Sequence, residues 1–339
     1  RVPIEGEHVV EFVERWTPLV ERLGATFFEA TTAMAFDAFA RAEVDVALIE
    51  PGLGERLDST NVVSPESAGV TTIGWDHMEY LGHTLEGMAR ENAGIFKPGK
   101  PAVTGYADDV IAEVLRESAR KAGADPILVQ DEVRVSDVSV GPGGTAANFS
   151  LAGTGEQRRL QTPLTGQHQA FNLAFTIALL NSAGREFAFT LDEIAPVLEK
   201  VRLPGRFQRV GKYVFDVAHN ADGARVLAET LRAVAPARPT RVLFCALRDK
   251  EWRDMLVALA GVSDSFVLTN APTAPASRAW DLAAAEDFAR KLGSGVEVGP
   301  DFDAALQRVD DGAATVVVTG SFHTVGDAMA RLQVSPFAP

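Results

Sequence analysis

Two stretches place hard ligands at the ends of predicted strands. EPGLGERLDSTN (Glu50–Asn61) closes the apolar run VDVALIE (Val44–Glu50), and WDH (Trp75–His77) follows GVTTI (Gly69–Ile73). A short β-branched run that ends in an acid and a glycine-rich turn reads as a buried parallel strand, and ligands gather at the carboxyl ends of such strands. The Glu50 carboxylate and the His77 imidazole are therefore candidate ligands for a hard cation, with magnesium the natural choice. The plainer alternative is a turn-capping Glu50 and a satisfied, partly buried His77. His83 lies six residues beyond His77, off the same helical face, and is not paired with it.

Phosphate chemistry needs a cradle of backbone amides, and the P-loop spacing GxxxxGK[ST] supplies one, with its Lys neutralising charge and its hydroxyl holding magnesium. The sequence contains no such run. GPGGT (Gly141–Thr145) has no lysine and reads as a turn. A dinucleotide fingerprint GxGxxG is absent too: Gly52 and Gly54 are followed by Leu57 where the third glycine belongs.

The elements that must hold these residues alternate. Helical spacing of Val9, Val10, Phe12, Val13, Trp16, Leu19, Val20 and Leu23 predicts a helix over 8–23, and further helices are expected over 30–42, 84–92 and 108–122. Strands are expected at Val44–Glu50, Gly69–Ile73 and Pro101–Gly105. An antiparallel insertion follows between Ile127 and Thr162, then a buried helix over 169–181 with His168 as its cap. Pro-Gly in KVRLPGRF (Lys200–Phe207) marks a boundary near Leu203. Beyond it KYVFDVA, RVLFCAL, SFVLTN, VEVG and ATVVVTG alternate with helical stretches, which predicts a Rossmann-like sheet covered on both faces. The expectation is an α/β protein of two domains, residues 1–203 and 204–339.

Composition agrees. A chain of 339 residues with 46% hydrophobic and 23% charged residues is long enough for two cores. The single cysteine, Cys245, excludes an intrachain disulfide and a cysteine-cluster metal site. No leader-like start and no membrane-length apolar run is seen, so a cytoplasmic protein without membrane partners is expected. A net charge of −14 disfavours nucleic acid as a partner while leaving small anions open.

The blocks TFFEATTAMAF, ALIEPGLGERLDSTNVV, TTIGWDHMEYLGHTLEGMARENAGIFKPG, LTGQHQAFNLAFTIAL, LPGRFQRV, DVAHNADG and VTGSFHTVG stand in an order that resembles the folylpolyglutamate synthase and dihydrofolate synthase family of the Mur ligase superfamily, nearly end to end. The resemblance implies a Mur ligase-like central domain, incomplete at its amino end, and a carboxy-terminal Rossmann-like glutamate ligase domain. It implies an ATP- and Mg2+-dependent ligase, a monomer, that adds L-glutamate to dihydropteroate or reduced folates through an acyl phosphate. By motif, Glu50 and His77 are the implied metal ligands. Asn172, Arg206 and Asp216 are the implied nucleotide contacts, with ATP bound across an interdomain cleft that closes on it. Thr26, Phe27, Phe28, Glu29, Leu57, Asp58 and Ser59 are the implied pteroate-binding residues, where Phe27 and Phe28 read equally as core. His219 and Ser321 are weaker catalytic candidates beside the glutamate or the acyl phosphate, and either alternatively caps a helix.

Two departures stand out. The P-loop of the family precedes the block matched by residues 1–20, and because a parallel sheet without its first strand would expose an edge and part of a core, a trimmed view of an enzyme is favoured over a naturally shortened relative. In ARENAGIFKPG, Asn92 stands where the family has a lysine carried as a carbamate that helps bind a second magnesium, and an amide cannot be carbamylated. Pro51 and Glu55 replace the usual Val and Gly. The competing readings are a non-catalytic pterin- or nucleotide-binding relative and a Mur-type peptidoglycan-precursor ligase.

Overall fold

A computed structural model describes residues 2–52, 54–74, 84–105 and 109–335. The chain divides into two compact units, one of Arg1–Ile73 with His77–Ile127 and one of Gly74–Asp76 with Leu128–Pro339.

The first unit opens with α1 (Gly6–Leu23), which ends at Gly24 in the left-handed conformation, and α2 (Phe27–Arg41). Arg41 ties the two by pairing with Glu11 of α1 at 3.0 Å. Helix α2 starts three residues before the sequence expectation because Thr26 and Glu29 form a capping box, which fixes the first turn irrespective of the apolar spacing. Strand β1 (Ala68–Val70), α3 (Leu85–Asn92, capped by Thr84), β2 (Pro101–Thr104), α4 (Asp109–Lys121) and β3 (Asp125–Leu128) follow. The sheet order is β1-β2-β3, with β1 and β2 parallel. Its core is Val70, Phe96, Ile111 and Leu115 among many alanines, whose small side chains let the helices approach the strands closely.

Val44–Glu50 is not a strand. Among the described residues it makes no ladder, and Leu48 is 80% exposed. An apolar β-branched run specifies a strand only where a neighbour is present to take its N–H and C=O groups, and local pattern cannot report the neighbour.

In the second unit a single helical turn leads into β4 (Val133–Gly141), β5 (Gly144–Leu151) and β6 (Gln157–Thr162), an antiparallel sheet of order β4-β5-β6. Pro142 and Gly143 make its first turn, as the sequence suggests. Helix α5 (Gln167–Ala183) is set by Gly166, whose N–H donates to the Thr145 hydroxyl while that hydroxyl donates to the Gly166 carbonyl, both at 3.0 Å. A capped helix α6 (Leu191–Leu198) precedes the second sheet.

That sheet comprises β7 (Gln208–Val210), β8 (Tyr213–Phe215), β9 (Thr240–Phe244), β10 (Ser265–Leu268), β11 (Gly295–Val298) and β12 (Thr315–Thr319) in the order β11-β10-β9-β12-β8-β7, parallel except for β7. Helices α7 (Ala221–Val234), α8 (Trp252–Ala260) and α9 (Leu282–Lys291) cover one face through Leu227, Met255 and Ala285 against Val242, Phe244 and Phe266. Helices α10 (Phe302–Asp310) and α11 (Phe322–Arg331) cover the other through Leu306, Val309 and Val325 against Phe215, Leu243, Val267 and Val318. Burial on both faces is why these strands read as continuous apolar runs. Val140 of β4 packs on the first of these clusters. The compact division thus falls after Ile127, whereas the sequence punctuation falls near Leu203. No helix among the described residues is long and apolar enough to cross a membrane.

Candidate active site

Topology opens a crevice in the second unit. Strands β8 and β12 are neighbours, yet α7 leaves β8 for one face and α11 leaves β12 for the other. Such a switch point parts the two loops at the carboxyl ends of the strands and is the usual ligand seat of an open α/β sheet. The loop after β8 carries Asp216 and His219; the loop after β12 carries Ser321. Two bonds tie the loop after β8 to β12 and the loop beyond it, from the Asp216 N–H to the Val318 carbonyl and from the Gly320 N–H to the Ala218 carbonyl, each 3.1 Å. Gly320 has φ +108°, and a Cβ there would lie 2.6 Å from the Cys245 carbonyl oxygen, so only glycine passes the end of β9 at this point.

Asp216 is half-buried and accepts hydrogen bonds from the backbone N–H groups of Phe207 and Ala218, both 2.9 Å. Burial pushes its carboxyl up to about 6, against the lowering pull of those two amides, of Arg206 and of His219. Arg206 is exposed while its neighbour Phe207, with φ 48°, turns into the core, so the PGRF segment holds the guanidinium on the rim. The His219 Nδ1 lies 3.2 Å from the Val217 carbonyl, which favours the tautomer with its proton on Nδ1.

His168, expected as a helix cap, is instead the second residue of α5; the cap position is Gly166, whose φ of +131° supplies the turn without a side chain. The His168 Nε2 lies 2.9 Å from the Gln169 side-chain nitrogen, so the amide donates and the ring accepts. Burial holds the imidazole below its ordinary range, and the Arg206 charge adds to this. His168 is thus a neutral neighbour to Arg206. Asn172, one turn along the same face, is exposed and donates to the Gln169 Oε1 at 3.3 Å. Ser321 is 2% exposed and caps α11: its Oγ accepts from the Thr324 N–H at 3.1 Å and pairs with the Thr324 hydroxyl at 2.7 Å. Phe322, which the sequence reading passed over, projects beside Arg206 and His219 and is 58% exposed. Its signal was an aromatic directly after a Gly-Ser strand end.

The first unit gathers the other candidates. Thr26 and Glu29 are spent on each other: the Thr26 N–H and hydroxyl donate to Glu29 Oε2 at 2.7 and 2.8 Å and hold that carboxyl below its usual range. Phe27 is 85% exposed and Phe28 is 42% exposed, so neither is a core residue here. The Phe28 ring presses on Gly52, where a Cβ would lie 2.5 Å from its Cζ. Asp58 pins the loop, its Oδ2 accepting from the Gly52 N–H at 2.8 Å and its Oδ1 from the Thr60 N–H and hydroxyl. Ser59 and Thr32 pair through their hydroxyls at 2.8 Å. These contacts bring Phe28 together with the 52–60 loop and leave Leu57 exposed, an apolar wall with polar groups behind it, as a flat heterocycle requires.

Glu50 is exposed, while His77 and His83 lie outside the described residues. Among the described residues no three His, Cys, Asp or Glu side chains gather that could hold a metal. A cation carried by nucleotide phosphates takes only one or two protein carboxylates and completes its shell with phosphate oxygens and water, so a lone Glu50 fits that kind of site. The Asn92 Oδ1 is buried without a hydrogen-bond partner among the described residues.

A parallel-sheet unit with a candidate site at its switch point, preceded by an α/β unit, is the organisation of Mur ligases. Residues 13–180 match the Mur ligase middle domain and residues 205–322 the Mur ligase glutamate ligase domain. The chain is 33% identical to the dihydrofolate synthase/folylpolyglutamate synthase of Bacillus subtilis, over 98% of this chain and 79% of the relative. The folylpolyglutamate synthase of Mycobacterium tuberculosis, solved with ADP and AMPPCP, superposes with a TM-score of 0.87 at 31% identity, covering 98% of this chain and 80% of that one. A bifunctional folylpolyglutamate synthase/dihydrofolate synthase with Mn, AMPPNP and L-glutamate bound gives 0.79 at 30% identity, covering 98% and 78%. The chain belongs to the dihydrofolate synthase/folylpolyglutamate synthase family.

Proposed function

We propose that this protein is an ATP-dependent ligase that joins L-glutamate to dihydropteroate or to reduced folates. The observation that carries the reading is the convergence of the Arg206 guanidinium and the His219 imidazole on Phe322, next to the half-buried Asp216 carboxylate, at the switch point of a sheet that matches a glutamate ligase domain. The acceptor carboxylate attacks the γ-phosphorus and releases ADP; the glutamate amine then attacks the acyl carbon, forms the amide, and phosphate and a proton leave. Almost all the work is positioning and charge neutralisation.

In this reading the Arg206 guanidinium binds phosphate oxygens, and Asp216 and Asn172 take hydrogen bonds from ribose or base. His219 offers its Nε2 toward the incoming glutamate or the acyl phosphate, and Ser321 acts through the helix start it caps. Phe27, Phe28 and Leu57 form the wall for the pterin, with Thr26, Glu29, Asp58 and Ser59 fixing its shape. Glu50 and His77 hold a divalent cation, which would neutralise charge on the phosphates. Residues 1–203 serve as the nucleotide- and folate-binding portion and 204–339 as the glutamate ligase portion, in a cytoplasmic monomer whose partners are small molecules and not nucleic acid.

The test is phosphate release by the natural full-length protein with dihydropteroate, tetrahydrofolate and muropeptide acceptors in turn. Release that requires both glutamate and a pteroate compound supports the reading. Release with muropeptide alone makes the protein a peptidoglycan-precursor ligase, and none with any acceptor leaves a non-catalytic binder.

A further inference from the structure

Phe322 is the first residue of α11, and 58% of its surface is exposed although it sits between two core-bearing elements. A lone exposed aromatic is ordinary, but the company of this one is not. The Arg206 Cζ, from the loop before β7, lies 5.9 Å from its ring centre; the His219 ring, from the loop after β8, lies 5.5 Å away at 41°. Three separate segments therefore meet on one ring. Arg206 is attached to a long, rotamer-rich side chain, and an exposed guanidinium without a support pays for each contact in lost freedom. An aromatic face attracts the cation through its quadrupole and leaves the guanidinium's in-plane N–H donors clear for oxygen ligands.

We propose that Phe322 is a positioning residue for nucleotide binding: its ring supports the Arg206 guanidinium and the His219 imidazole together, so that the in-plane donors of Arg206 meet the phosphates. The inference rests on the reading of Arg206 as a nucleotide contact. Substitution of the ring by an aliphatic side chain frees Arg206 and raises the cost of ordering it on ligand binding. An aromatic replacement retains the support.

The experiment is ADP binding by titration calorimetry in the natural full-length protein, for wild type, Phe322→Leu, Phe322→Trp, Arg206→Ala and the double variant Arg206→Ala/Phe322→Leu. Phe322→Leu is expected to weaken ADP by about two- to five-fold, the range of an exposed cation–π contact. Phe322→Trp retains wild-type affinity, and Phe322→Leu adds nothing once Arg206 is gone. In turnover, Phe322→Leu raises KM for ATP with kcat nearly unchanged, and its melting temperature matches wild type because the side chain is exposed.

Unchanged ADP affinity in Phe322→Leu beside weakened affinity in Arg206→Ala overturns this inference alone. So does an equal loss from Phe322→Leu in both backgrounds, or a failure of Trp to restore binding. Unchanged affinity in Arg206→Ala, or a wild-type protein that binds no ADP, removes the nucleotide reading of the site and the inference with it.

Discussion

Asp216 carries the clearest electrostatic consequence at the scale of single residues. Its carboxyl rises from 3.8 to about 6, chiefly through burial. Between those pH values the folded protein holds a proton that the unfolded chain has released, so the site opposes folding increasingly as pH rises through the window. Asp216→Asn is expected to flatten that part of the stability profile, measured by urea unfolding between pH 4 and 7. Ligand donors favour the ionised form, so ADP affinity should fall below about pH 6 more steeply in wild type than in Asp216→Asn, a comparison in which the titration of ADP itself cancels. Parallel profiles would remove Asp216 from the site. Asn92 offers a second case. Its Oδ1 is buried without a partner among the described residues, and an unmet buried acceptor costs roughly 1–3 kcal/mol. Asn92→Leu, which keeps the same branched four-atom skeleton without the polar oxygen, is therefore expected to leave the melting temperature unchanged or raise it. A fall would mean that the amide oxygen is engaged in the natural protein. The sequence flagged Asn92 through a departure from family pattern, and only the burial of its oxygen turned that departure into an energetic statement. Phe322 was illegible for the opposite reason: its meaning lies in a guanidinium and an imidazole that reach its ring from positions more than a hundred residues earlier in the chain.

At the scale of elements, strands buried on both faces were the easiest to read. VLF within Thr240–Phe244 and VVV within Thr315–Thr319 are apolar at every position because α7, α8 and α9 cover one side and α10 and α11 the other. Val44–Glu50 has the same local pattern and, among the described residues, no ladder, so composition alone does not distinguish a strand from a run without a paired neighbour. Helix starts depart from the apolar periodicity where capping chemistry sets them, as at the Thr26 and Glu29 box and at Gly166 before α5. Gly166 yields a direct test. Its φ of +131° suits glycine, and an added Cβ would lie 2.3 Å from the His168 Cε1 and 3.0 Å from the Thr230 hydroxyl. Gly166→Ala is expected to cost about 1–3 kcal/mol in urea unfolding and to displace His168 from beside Arg206. A stability equal to wild type would show that α5 can start without that turn.

For the whole molecule, the question with a measurable answer is where the cooperative units divide. Pro-Gly at residues 204–205 punctuates the sequence, and the two family matches end and begin near it, at 180 and 205. Packing crosses that point. Val140 of β4 lies on the core under α7, and Gly166 at the start of α5 lies against Thr230 of α7. Side-chain packing of this kind leaves no trace in local composition, which is why the sequence placed the boundary in the loop and the contacts place it after Ile127. Chains of more than one domain need not unfold in a single step, and cooperative units reveal themselves by common opening energies. Native-state hydrogen exchange under rising urea separates the two divisions. If packing governs, the amides of β4 to β6 and α5 open together with those of β9, β10 and β12, and apart from β1 and β2. If the loop governs, β4 to β6 open with β1 and β2 while the six-stranded sheet stays closed. The first result would make His168, Arg206 and Asp216 members of one folding unit, so that a mutation weakening the β4–β6 sheet would also weaken nucleotide binding. The second would uncouple them, and the same mutation would then leave the Arg206 and Asp216 contacts intact.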